Sequence, residues 1–366
     1  MTRILVAMSG GVDSSVAAAL LQDEGHEIAG ATLRLWGGPS DSGCCSVADV
    51  DDARRVAQQL GIDHYVFNFS DDFDTHVVNP YVAAHQEGLT PNPCVECNRH
   101  VKFDLFAARA MRLGYEAIAT GHHVRRVVLA DGRSALARGH DGDKDQSYVV
   151  HMIAPAVLDL CHFPVGALTK QEVRARATSL GLRTADKPES MDVCFIAKTD
   201  GGRRAFLGSR IPLRSARIVD DEGRQVGTTD AVELVTIGQR KGLGQLGVPE
   251  ARYVVNVDVP AGVVTIGTPE QLLTDGVTLT KFVDSLGVFD SLDPLDGDGA
   301  LPGPLLAQIS AHGEPFPVTA SQSADRTVRL QFDTPRRRVA PGQTVVLYRG
   351  DVVIAGGIAT QNPANE

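Results

Sequence analysis

Apolar runs of strand length alternate with amphipathic stretches over the first part of the chain. Arg3–Met8 and Glu27–Leu35 are short and largely apolar, as strands buried on both faces are. Asp13–Glu24 and Val47–Leu60 repeat their apolar residues at helical spacing. This alternation predicts a parallel sheet with helices on both faces.

The same patterns continue further along the chain. They predict strands at Asp63–Asn68 and Glu116–Ala119 and helices at Phe103–Leu113 and Lys170–Leu180. Gly61 is the expected end of one helix and Thr169 the expected start of another, because Gly adopts the left-handed cap and Thr accepts from helical N–H groups. Asp13 or Ser14 is the expected N-cap of the first helix.

Helical periodicity nearly disappears after about residue 200, where Gly, Pro and Asp separate short alternating stretches. This pattern is typical of small β-barrels and sandwiches. The predicted strands are Ala216–Val219, Val232–Ile237, Tyr253–Val259, Val263–Gly267, Leu305–Ile309, Thr327–Phe332, Thr344–Leu347 and Val352–Ile354. Leu292–Pro304 is predicted to be a long surface loop.

The predicted fold class is α/β with three domains. An N-terminal parallel-sheet domain is expected over residues 1–199, a small central β-rich domain over 200–275 and a C-terminal β-barrel over 276–366. A chain of 366 residues is long enough for this division, because a single core seldom serves so many residues.

Composition narrows the class of protein further. The chain has 43% hydrophobic and 22% charged residues, as ordinary soluble proteins do. No apolar run reaches the roughly 20 residues of a membrane span, and no secretory leader precedes the first strand, so we expect a cytoplasmic protein without a membrane partner. The net charge of −10 argues against a general nucleic-acid coating protein but permits a local basic face.

The run SGGVDSS at residues 9–15 directly follows the first predicted strand and opens the first helix. Glycines let the backbone approach a ligand closely, and N–H groups at a helix start attract anions. The run has neither the lysine of a Walker A loop nor the spacing of GxGxxG. It resembles the loop of enzymes that cleave ATP between its α and β phosphates, in which Asp13 would position Mg²⁺ or the phosphates.

Two separate motifs carry cysteines. TPNPCVECNRHVKF at 90–103 contains Cys94 and Cys97, and ESMDVCFI at 189–196 contains Cys194. The first pair alone admits half a zinc site, a redox pair or two buried structural thiols. A single Cys beside Phe and Ile, taken alone, is more typical of packing than of catalysis.

Four other motifs complete a recognisable set. They are ATGHH at 119–123, DKDQSY at 143–148, TIGQRKGLG at 236–244 and APGQ at 340–343. Taken in this order with the phosphate loop and both cysteine motifs, they resemble the tRNA-specific 2-thiouridylase family. The resemblance covers nearly the whole chain, and the combination is far more specific than the phosphate loop alone.

The resemblance implies an adenine nucleotide alpha hydrolase-like N-terminal domain and ATP-dependent 2-thiolation of the wobble uridine of tRNA of the Lys, Glu and Gln type. ATP with Mg²⁺ would form an adenylated base, and a persulfide on Cys194 would supply the sulfur with Cys97 as its partner thiol. A cysteine desulfurase or a sulfur-carrier protein would be the sulfur donor, and the free enzyme would be a monomer. The implied ATP-binding residues are Ala7, Met8, Ser9, Gly10, Gly11, Val12, Asp13, Ser14, Leu33 and Gly121. The implied contacts of the tRNA and its target base are Asn92, Pro93, Cys94, His122, Lys144, Asp145, Gln146 and Gln343.

Cys94 departs from the family pattern, since many members carry Asp at this position. A general-base role there does not transfer to this chain. Cys94, Cys97 and Cys194 are also a ligand set for an iron–sulfur cluster with an open iron site. Cysteine relay and cluster chemistry are therefore both open at this point.

Two other classes of protein remain as alternatives. One is a different adenylating enzyme with the same loop, such as a tRNA lysidine synthetase, an amidotransferase or an NAD synthetase, and the other is a nucleotide sensor without catalysis. Neither requires the pair Cys97 and Cys194. For tRNA phosphates the expected basic face consists of Arg203, Arg204, Arg210, Arg214, Arg217, Arg336, Arg337 and Arg338, with merely solvated charge as the alternative.

Overall fold

A computed structural model describes residues 1–36, 46–188, 193–196, 201–244, 252–289, 301, 303–323 and 327–360. The chain divides into two compact units. The first consists of Met1–Val78, Pro93–Ala197 and Asp351–Ile354, and the second of Asn79–Asn92, Lys198–Gly350 and Ala355–Glu366.

The helices and strands are numbered here in chain order. The α-helices are α1 Val12–Asp23, α2 Val47–Leu60, α3 Ser70–Phe73, α4 Asn79–Gln86, α5 Pro93–Glu96, α6 Phe106–Arg112, α7 Ser147–Val150, α8 Pro155–Leu158, α9 Lys170–Ser179 and α10 Gly202–Gly208. The strands are β1 Arg3–Ala7, β2 Glu27–Arg34, β3 His64–Asn68, β4 Ala117–Ala119, β5 Val124–Val128, β6 Ser134–Arg138, β7 Cys161–His162, β8 Ala216–Val219, β9 Gln225–Thr229, β10 Tyr253–Asp258, β11 Val263–Gly267, β12 Leu273–Asp284, β13 Leu305–Gln308, β14 Phe316–Gln322, β15 Val328–Arg337, β16 Thr344–Arg349 and β17 Val352–Ala359.

A five-stranded parallel sheet forms the centre of the first unit, in the order β3-β2-β1-β4-β7. Ile4 and Val6 of β1 are fully buried and pack in one core with Val16 of α1, Val56 of α2 and Val173 of α9. This confirms the predicted parallel α/β domain. The apolar runs of the sequence are strands of this sheet, and they are apolar because helices bury both faces of a parallel sheet.

Local signals placed α2 and α9 correctly. Ser46 and Asp49 form a capping box at the start of α2, and Gly61 ends it in the left-handed conformation at φ 70°. Thr169 and Glu172 form the same box at the start of α9. Each device satisfies helix-end groups from within a few residues, so it is visible in the sequence.

The predicted cap of α1 was wrong. Its N-cap is Gly11, and no side chain caps this helix start. Ser14 Oγ instead accepts from Ser9 N at 3.2 Å, and Asp13 is bound by side chains from other elements. The first-turn N–H groups of α1 therefore have no side-chain cap.

The helix predicted at Phe103–Leu113 is present, but it begins earlier and its first part is not an α-helix. A π-helix runs over Cys97–Leu105, and α6 follows it. The wider turns of a π-helix are rare and often occur at functional sites, but they leave no distinct periodicity in a short sequence. Cys97 is the first residue of this π-helix.

The second unit contains two β structures. One is a four-stranded sheet in the order β10-β11-β8-β9, and the other is a barrel in which β12-β15-β14-β13-β16-β17 closes through pairing of β12 with β17. The barrel confirms the predicted β-rich second half. Strands β9, β12 and β14 were not predicted.

Val232–Ile237 was predicted as a strand, but Val232–Leu234 is a 3₁₀ helix. The alternating pattern would turn Glu233 outward, yet its side chain is only 1% exposed. Arg214 explains this burial, because its Nε donates to Glu233 Oε1 at 2.7 Å and its backbone N donates to Oε2 at 3.1 Å.

The predicted loop at Leu292–Pro304 lies largely outside the described residues. Within the part of the chain that the structure describes, no helix combines the length and the hydropathy of a membrane span.

His85 gives the second unit an acid-sensitive element. It is 2% exposed, its Nδ1 donates to the backbone oxygen of Glu233 at 3.1 Å, and Tyr81 packs against its ring. Burial, assisted by the positive charge of Arg203, lowers the pKa of His85 to about 4. Because its ordinary pKa is about 6.5, the neutral ring stabilises the fold fully above that pH and progressively less as the pH falls towards 4.

We predict that His85→Asn flattens the acid limb of the stability curve. Asn keeps an amide donor for Glu233 but does not titrate. In the wild-type protein, the unfolded chain gains a proton on His85 at pH 5 that the native state does not, and this should lower the free energy of unfolding by about 2 kcal/mol relative to neutral pH. Urea unfolding of both proteins at pH 7.5 and pH 5.0 measures the difference. His312→Asn, at an exposed position of the same unit, is the control and should retain the full acid loss. An equal acid loss in His85→Asn would contradict this origin.

Candidate active site

The phosphate loop and the ATGHH motif follow two neighbouring strands of the sheet. SGGVDSS comes after β1, ATGHH begins at the end of β4, and β1 pairs directly with β4. The chain leaves β1 towards β2 on one side, while β4 lies on the other. Such a switch point at the carboxyl ends of parallel strands is where open α/β sheets bind ligands.

Two glycines allow the backbones to approach at this point. Gly10 has φ +73°, and a Cβ atom there would collide with the backbone oxygen of Asp49 in the first turn of α2. A Cβ atom on Gly121 would lie 2.5 Å from the backbone nitrogen of Ser14. The end of β4 and the first turn of α1 are therefore in direct backbone contact.

The start of α1 has the properties of an anion site. Its amide groups have no side-chain cap. The hydroxyl groups of Ser14 and Ser15 donate to the backbone oxygen of Gly11 at 3.2 and 2.8 Å. These bonds fix the loop while the helix dipole and its N–H groups favour a negative charge. The arrangement fits the phosphates of a nucleotide.

Asp13 is held by two basic groups. Lys170 Nζ donates to Asp13 Oδ1 at 2.8 Å and to Oδ2 at 2.7 Å, and His123 Nε2 lies 3.1 Å from Oδ1. Burial opposes the charge of Asp13, but the hydrogen bonds from His123 and Lys170 and the charge of Lys170 outweigh it, so the pKa of Asp13 is lowered. The carboxylate is thus ionised, and a lysine ammonium is fixed beside the phosphate loop.

Sequence reasoning missed Lys170 and His123. Lys170 was seen only as the first residue of a helix, and it lies 157 positions from Asp13. His123 belongs to ATGHH, from which only Gly121 and His122 were selected. The second histidine of that motif was a usable signal, whereas nothing local distinguished Lys170.

The loop of DKDQSY is tied to the same strand end. Gln146 Oε1 accepts from His123 N at 2.8 Å, and Gln146 N donates to His123 O at 3.0 Å. Asp145 accepts from Gly139 N, Ser147 N, Ser147 Oγ and Arg138 Nη1 at 2.7–3.0 Å, and its side chain is 5% exposed. Asp145 therefore holds the loop, and Lys144 ends a 3₁₀ turn on it.

Three further sequence-predicted residues lie on or shortly after strands of the same sheet. Leu33 is 8% exposed on β2, and Ala7 ends β1. His122 Nδ1 is 2.8 Å from Thr120 Oγ1. Burial, with the charges of Lys102 and His123, lowers the pKa of His122 to about 3, so its ring is neutral at physiological pH.

The two cysteine motifs lie on irregular backbone of the first unit. Pro93 and Cys94 lie in the short helix α5, and Cys97 follows at the start of the π-helix, where it is 6% exposed. Cys194 is partly buried and follows Val193, whose φ of 42° is rare for a β-branched residue. Cys94, Cys97 and Cys194 are thiols rather than halves of disulfides.

The cluster alternative receives no geometric support. Among the described residues, which include Cys94, Cys97 and Cys194, no group of three His, Cys, Asp or Glu side chains is placed to hold a metal ion. The three thiols therefore do not form a cluster site in this arrangement. Cys44, Cys45 and residues 189–192 lie outside the described residues.

In the second unit, the APGQ motif contacts Thr90, the first residue of the first cysteine motif. Gln343 Nε2 donates to Thr90 O at 2.9 Å, and Thr90 N donates to Pro341 O at 2.7 Å. Gly342 has φ +89°, and a Cβ atom there would lie 2.9 Å from Thr90 N. Gln343 thereby holds the segment that ends at Asn92.

Most arginines of the expected basic face have partners within the second unit. Arg204 pairs with Asp230 through two bonds of 2.9 and 2.6 Å, Arg214 binds Glu233, and Arg203 donates to Leu234 O at 2.9 Å. Further partners are the Phe206 ring for Arg210, the Phe316 ring for Arg336, the Tyr253 ring for Arg337 and Val255 O for Arg338. These contacts give the arginines a structural use, and their binding of tRNA stays a prediction.

Family models match nearly the whole chain. Residues 2–198 match the tRNA methyl transferase HUP domain, residues 204–268 the tRNA methyl transferase PRC-barrel domain and residues 296–359 the aminomethyltransferase beta-barrel domain. The first match supports nucleotide binding within residues 2–198.

Curated relatives agree over the full length. The tRNA-specific 2-thiouridylases of Chloroflexus aurantiacus and Mycobacteroides abscessus are each 44% identical over 98% of this chain, and the alignments cover 98% and 100% of those proteins. Among solved structures, a 4-thiouridine synthetase–RNA complex with bound ATP matches 53% of this chain and 45% of that one, with 16% identity and a TM-score of 0.34. On the full-length identity, this chain belongs to the tRNA-specific 2-thiouridylase family.

Proposed function

We propose that this chain is an ATP-dependent tRNA-uridine 2-sulfurtransferase that converts the wobble uridine of tRNA into 2-thiouridine. The observation that carries the proposal is a phosphate loop without a side-chain cap together with the thiols of Cys97 and Cys194 in the same unit, in a chain aligned with a 2-thiouridylase over 98% of both proteins.

ATP is proposed to bind with its phosphates at the start of α1. The uncapped N–H groups supply donors, and Lys170 supplies a positive charge that Asp13 and His123 hold in place. Mg²⁺ is the expected companion of the phosphates, and Asp13 is the carboxylate of the loop, whose oxygens would have to exchange Lys170 or His123 for the metal. Leu33 and Gly121 are proposed to lie beside the adenosine.

The first reaction step follows from the poor leaving ability of the uracil C2 oxygen. Transfer of AMP to that oxygen releases pyrophosphate and turns the oxygen into a good leaving group. The target base must leave its stack to be reached, and the unstacked anticodon loop lends itself to such recognition. Asn92, Pro93 and Cys94 are proposed to line the base, and Lys144, Asp145, Gln146, His122 and Gln343 to serve tRNA binding.

Sulfur transfer is proposed to use a persulfide on Cys194. Its terminal sulfur forms the new bond to C2, and the C2–oxygen bond breaks with release of AMP. The Cys97 thiolate attacks the inner sulfur, so the sulfur–sulfur bond of the persulfide breaks and a Cys97–Cys194 disulfide forms. An external dithiol must then donate two electrons to restore both thiols. Covalent relay divides one hard step into easier ones.

The partners follow from this scheme. A persulfide requires a sulfur donor, which we propose to be a cysteine desulfurase or a sulfur-carrier protein, and the place of action is proposed to be the cytoplasm. The proposed scheme uses the cysteine relay, and the cluster alternative is left to the Cys94→Ser test. The division into domains at residues 199 and 275 stays a proposal.

Gly121→Ala is predicted to weaken ATP binding at least tenfold. The added methyl group meets Ser14 N and must push the strand end away from the helix start that receives the phosphates. Isothermal titration with ATP measures the affinity, and thermal unfolding checks the fold. Gly142→Ala is the matched control, since a Cβ atom there meets nothing within 4 Å, and it should bind ATP normally. Normal affinity in both variants would place ATP elsewhere.

Asp13→Asn is predicted to lower tRNA-dependent pyrophosphate release at least a hundredfold. Asn keeps the shape of Asp13 but removes the charge that fixes Lys170, so the ammonium is no longer held beside the loop. Release is followed with a coupled pyrophosphate assay. Asp23→Asn, at the far end of α1, is the control for a lost carboxylate on the same helix. A folded Asp13→Asn enzyme with near-normal thiolation would refute the assignment.

Cys97→Ser and Cys194→Ser are each predicted to abolish tRNA thiolation while tRNA-dependent pyrophosphate release stays detectable, because adenylation needs neither thiol. Thiolated tRNA is resolved on mercury-containing gels. Cys161→Ala, in the buried strand β7, is the control and should thiolate normally.

Cys94→Ser separates the relay from the cluster. The relay predicts substantial retained activity, whereas a cluster predicts its loss together with the visible absorption of anaerobically purified protein. Iron-dependent activity that Cys94→Ser removes would overturn the relay.

A further inference from the structure

Lys187, which precedes Cys194 in the chain, is bound to helix α2. Its Nζ donates to Asp49 Oδ1 at 2.7 Å and to Asp52 Oδ2 at 2.8 Å, and Arg183 Nε also binds Asp52 Oδ1 at 3.2 Å. Burial opposes the charge of Lys187, but the hydrogen bonds to Asp49 and Asp52 outweigh it and raise its pKa. The ammonium therefore stays charged and engages two carboxylates one helical turn apart.

The carboxylates belong to the turn that supports the phosphate loop. Asp49 Oδ2 accepts from Ser46 Oγ at 2.7 Å in the capping box of α2, so Asp49 serves the helix start with one oxygen and Lys187 with the other. The backbone oxygen of the same Asp49 is the atom that a Cβ on Gly10 would strike. One turn of α2 thus contacts both the phosphate loop and Lys187.

The backbone around Lys187 is fixed as well. Arg174 of α9 donates to Ala185 O at 2.6 Å and to Lys187 O at 3.3 Å. Cys194 lies seven positions after Lys187, which limits the thiol to within roughly 25 Å of this anchor. Residues 189–192 between them lie outside the described residues.

A second anchor follows Cys194 immediately. Phe195 is 3% exposed, and its ring centroid lies 6.1 Å from that of Trp36 and 5.5 Å from that of Phe73. Trp36 is two residues after the end of β2, the strand that carries Leu33. The turn of Val193–Ile196 closes through a bond of 3.0 Å from Ile196 N to Val193 O.

We propose that Lys187 and Phe195 are positioning residues for Cys194, because Lys187 ties the chain before the thiol to α2 and Phe195 ties the chain directly after it to Trp36 and Phe73. This inference rests on the proposed function, since it assigns the anchors to the sulfur-transfer step. An ion pair kept only for stability would change the melting temperature alone. Anchors also control the exposure of the Cys194 thiol and the rate at which its sulfur reaches the base.

The variants are Lys187→Met, Lys187→Arg and Phe195→Leu, with Asp52→Asn as a milder change should Lys187→Met fail to fold. Arg54→Met is the matched control, because it removes an exposed 3.1 Å ion pair with Asp51 from the same helix. Single-turnover thiolation by persulfide-loaded enzyme should fall at least tenfold in Lys187→Met and Phe195→Leu. Pyrophosphate release should stay within twofold, and Lys187→Arg should recover most of the thiolation rate.

Two readouts do not depend on activity. Alkylation of Cys194 by iodoacetamide, followed by mass spectrometry, should accelerate several-fold in Lys187→Met and Phe195→Leu and stay unchanged in Arg54→Met. Cys161 is the internal reference, because burial raises its pKa to about 12. Trp36 is the only tryptophan of the chain, so loss of the Phe195 contact should change its fluorescence directly.

The outcomes separate the two proposals. Unchanged alkylation and unchanged thiolation in the folded variants would overturn the anchors, and so would an equal fall of thiolation and pyrophosphate release. A wild-type enzyme that neither releases pyrophosphate nor thiolates tRNA would remove the proposed function, while faster alkylation of Cys194 in the variants would still support the anchors.

Discussion

The contact on which the rest of the site depends is the approach of two backbones at Gly121 and Ser14. A methyl group on Gly121 would lie 2.5 Å from Ser14 N, so only glycine permits the end of β4 to meet the start of α1. This approach brings His123, which follows β4, within hydrogen-bond distance of Asp13. The parallel pairing of β1 and β4 directs the ends of both strands to the same edge of the sheet. The missing side chain of Gly121 then lets its backbone come close to that of Ser14.

The electrostatics of the site follow from the same contact. Asp13 neutralises Lys170 in the described arrangement, which lets a lysine that is only 9% exposed stay beside open helix N–H groups without an unpaired buried charge. Polyanionic phosphates would meet donors and an ammonium already held in place. Because these groups are fixed before the ligand arrives, binding loses little free energy to their ordering.

The thiols occupy a different kind of backbone. Cys97 begins a π-helix, and Cys194 follows a valine in the left-handed region at φ 42°. Such conformations cost free energy and persist only where surrounding contacts impose them, and they concentrate at functional sites. Directly after Cys194, such a contact is the packing of Phe195 against the rings of Trp36 and Phe73.

The sequence by itself determined what short-range chemistry decides. The parallel strands, the capping boxes of α2 and α9 and the glycine end at Gly61 depend on neighbours within a few residues. The motifs likewise identified the family and the cysteines. Tertiary structure alone decided that α1 lacks a side-chain cap, that Glu233 turns inward to Arg214, and that Lys170 reaches Asp13 across 157 positions. In each case a polar atom can bind several groups that are far apart in the sequence, and the tertiary structure decides which of them lies within reach. A local pattern of apolar and polar residues contains no information about that choice.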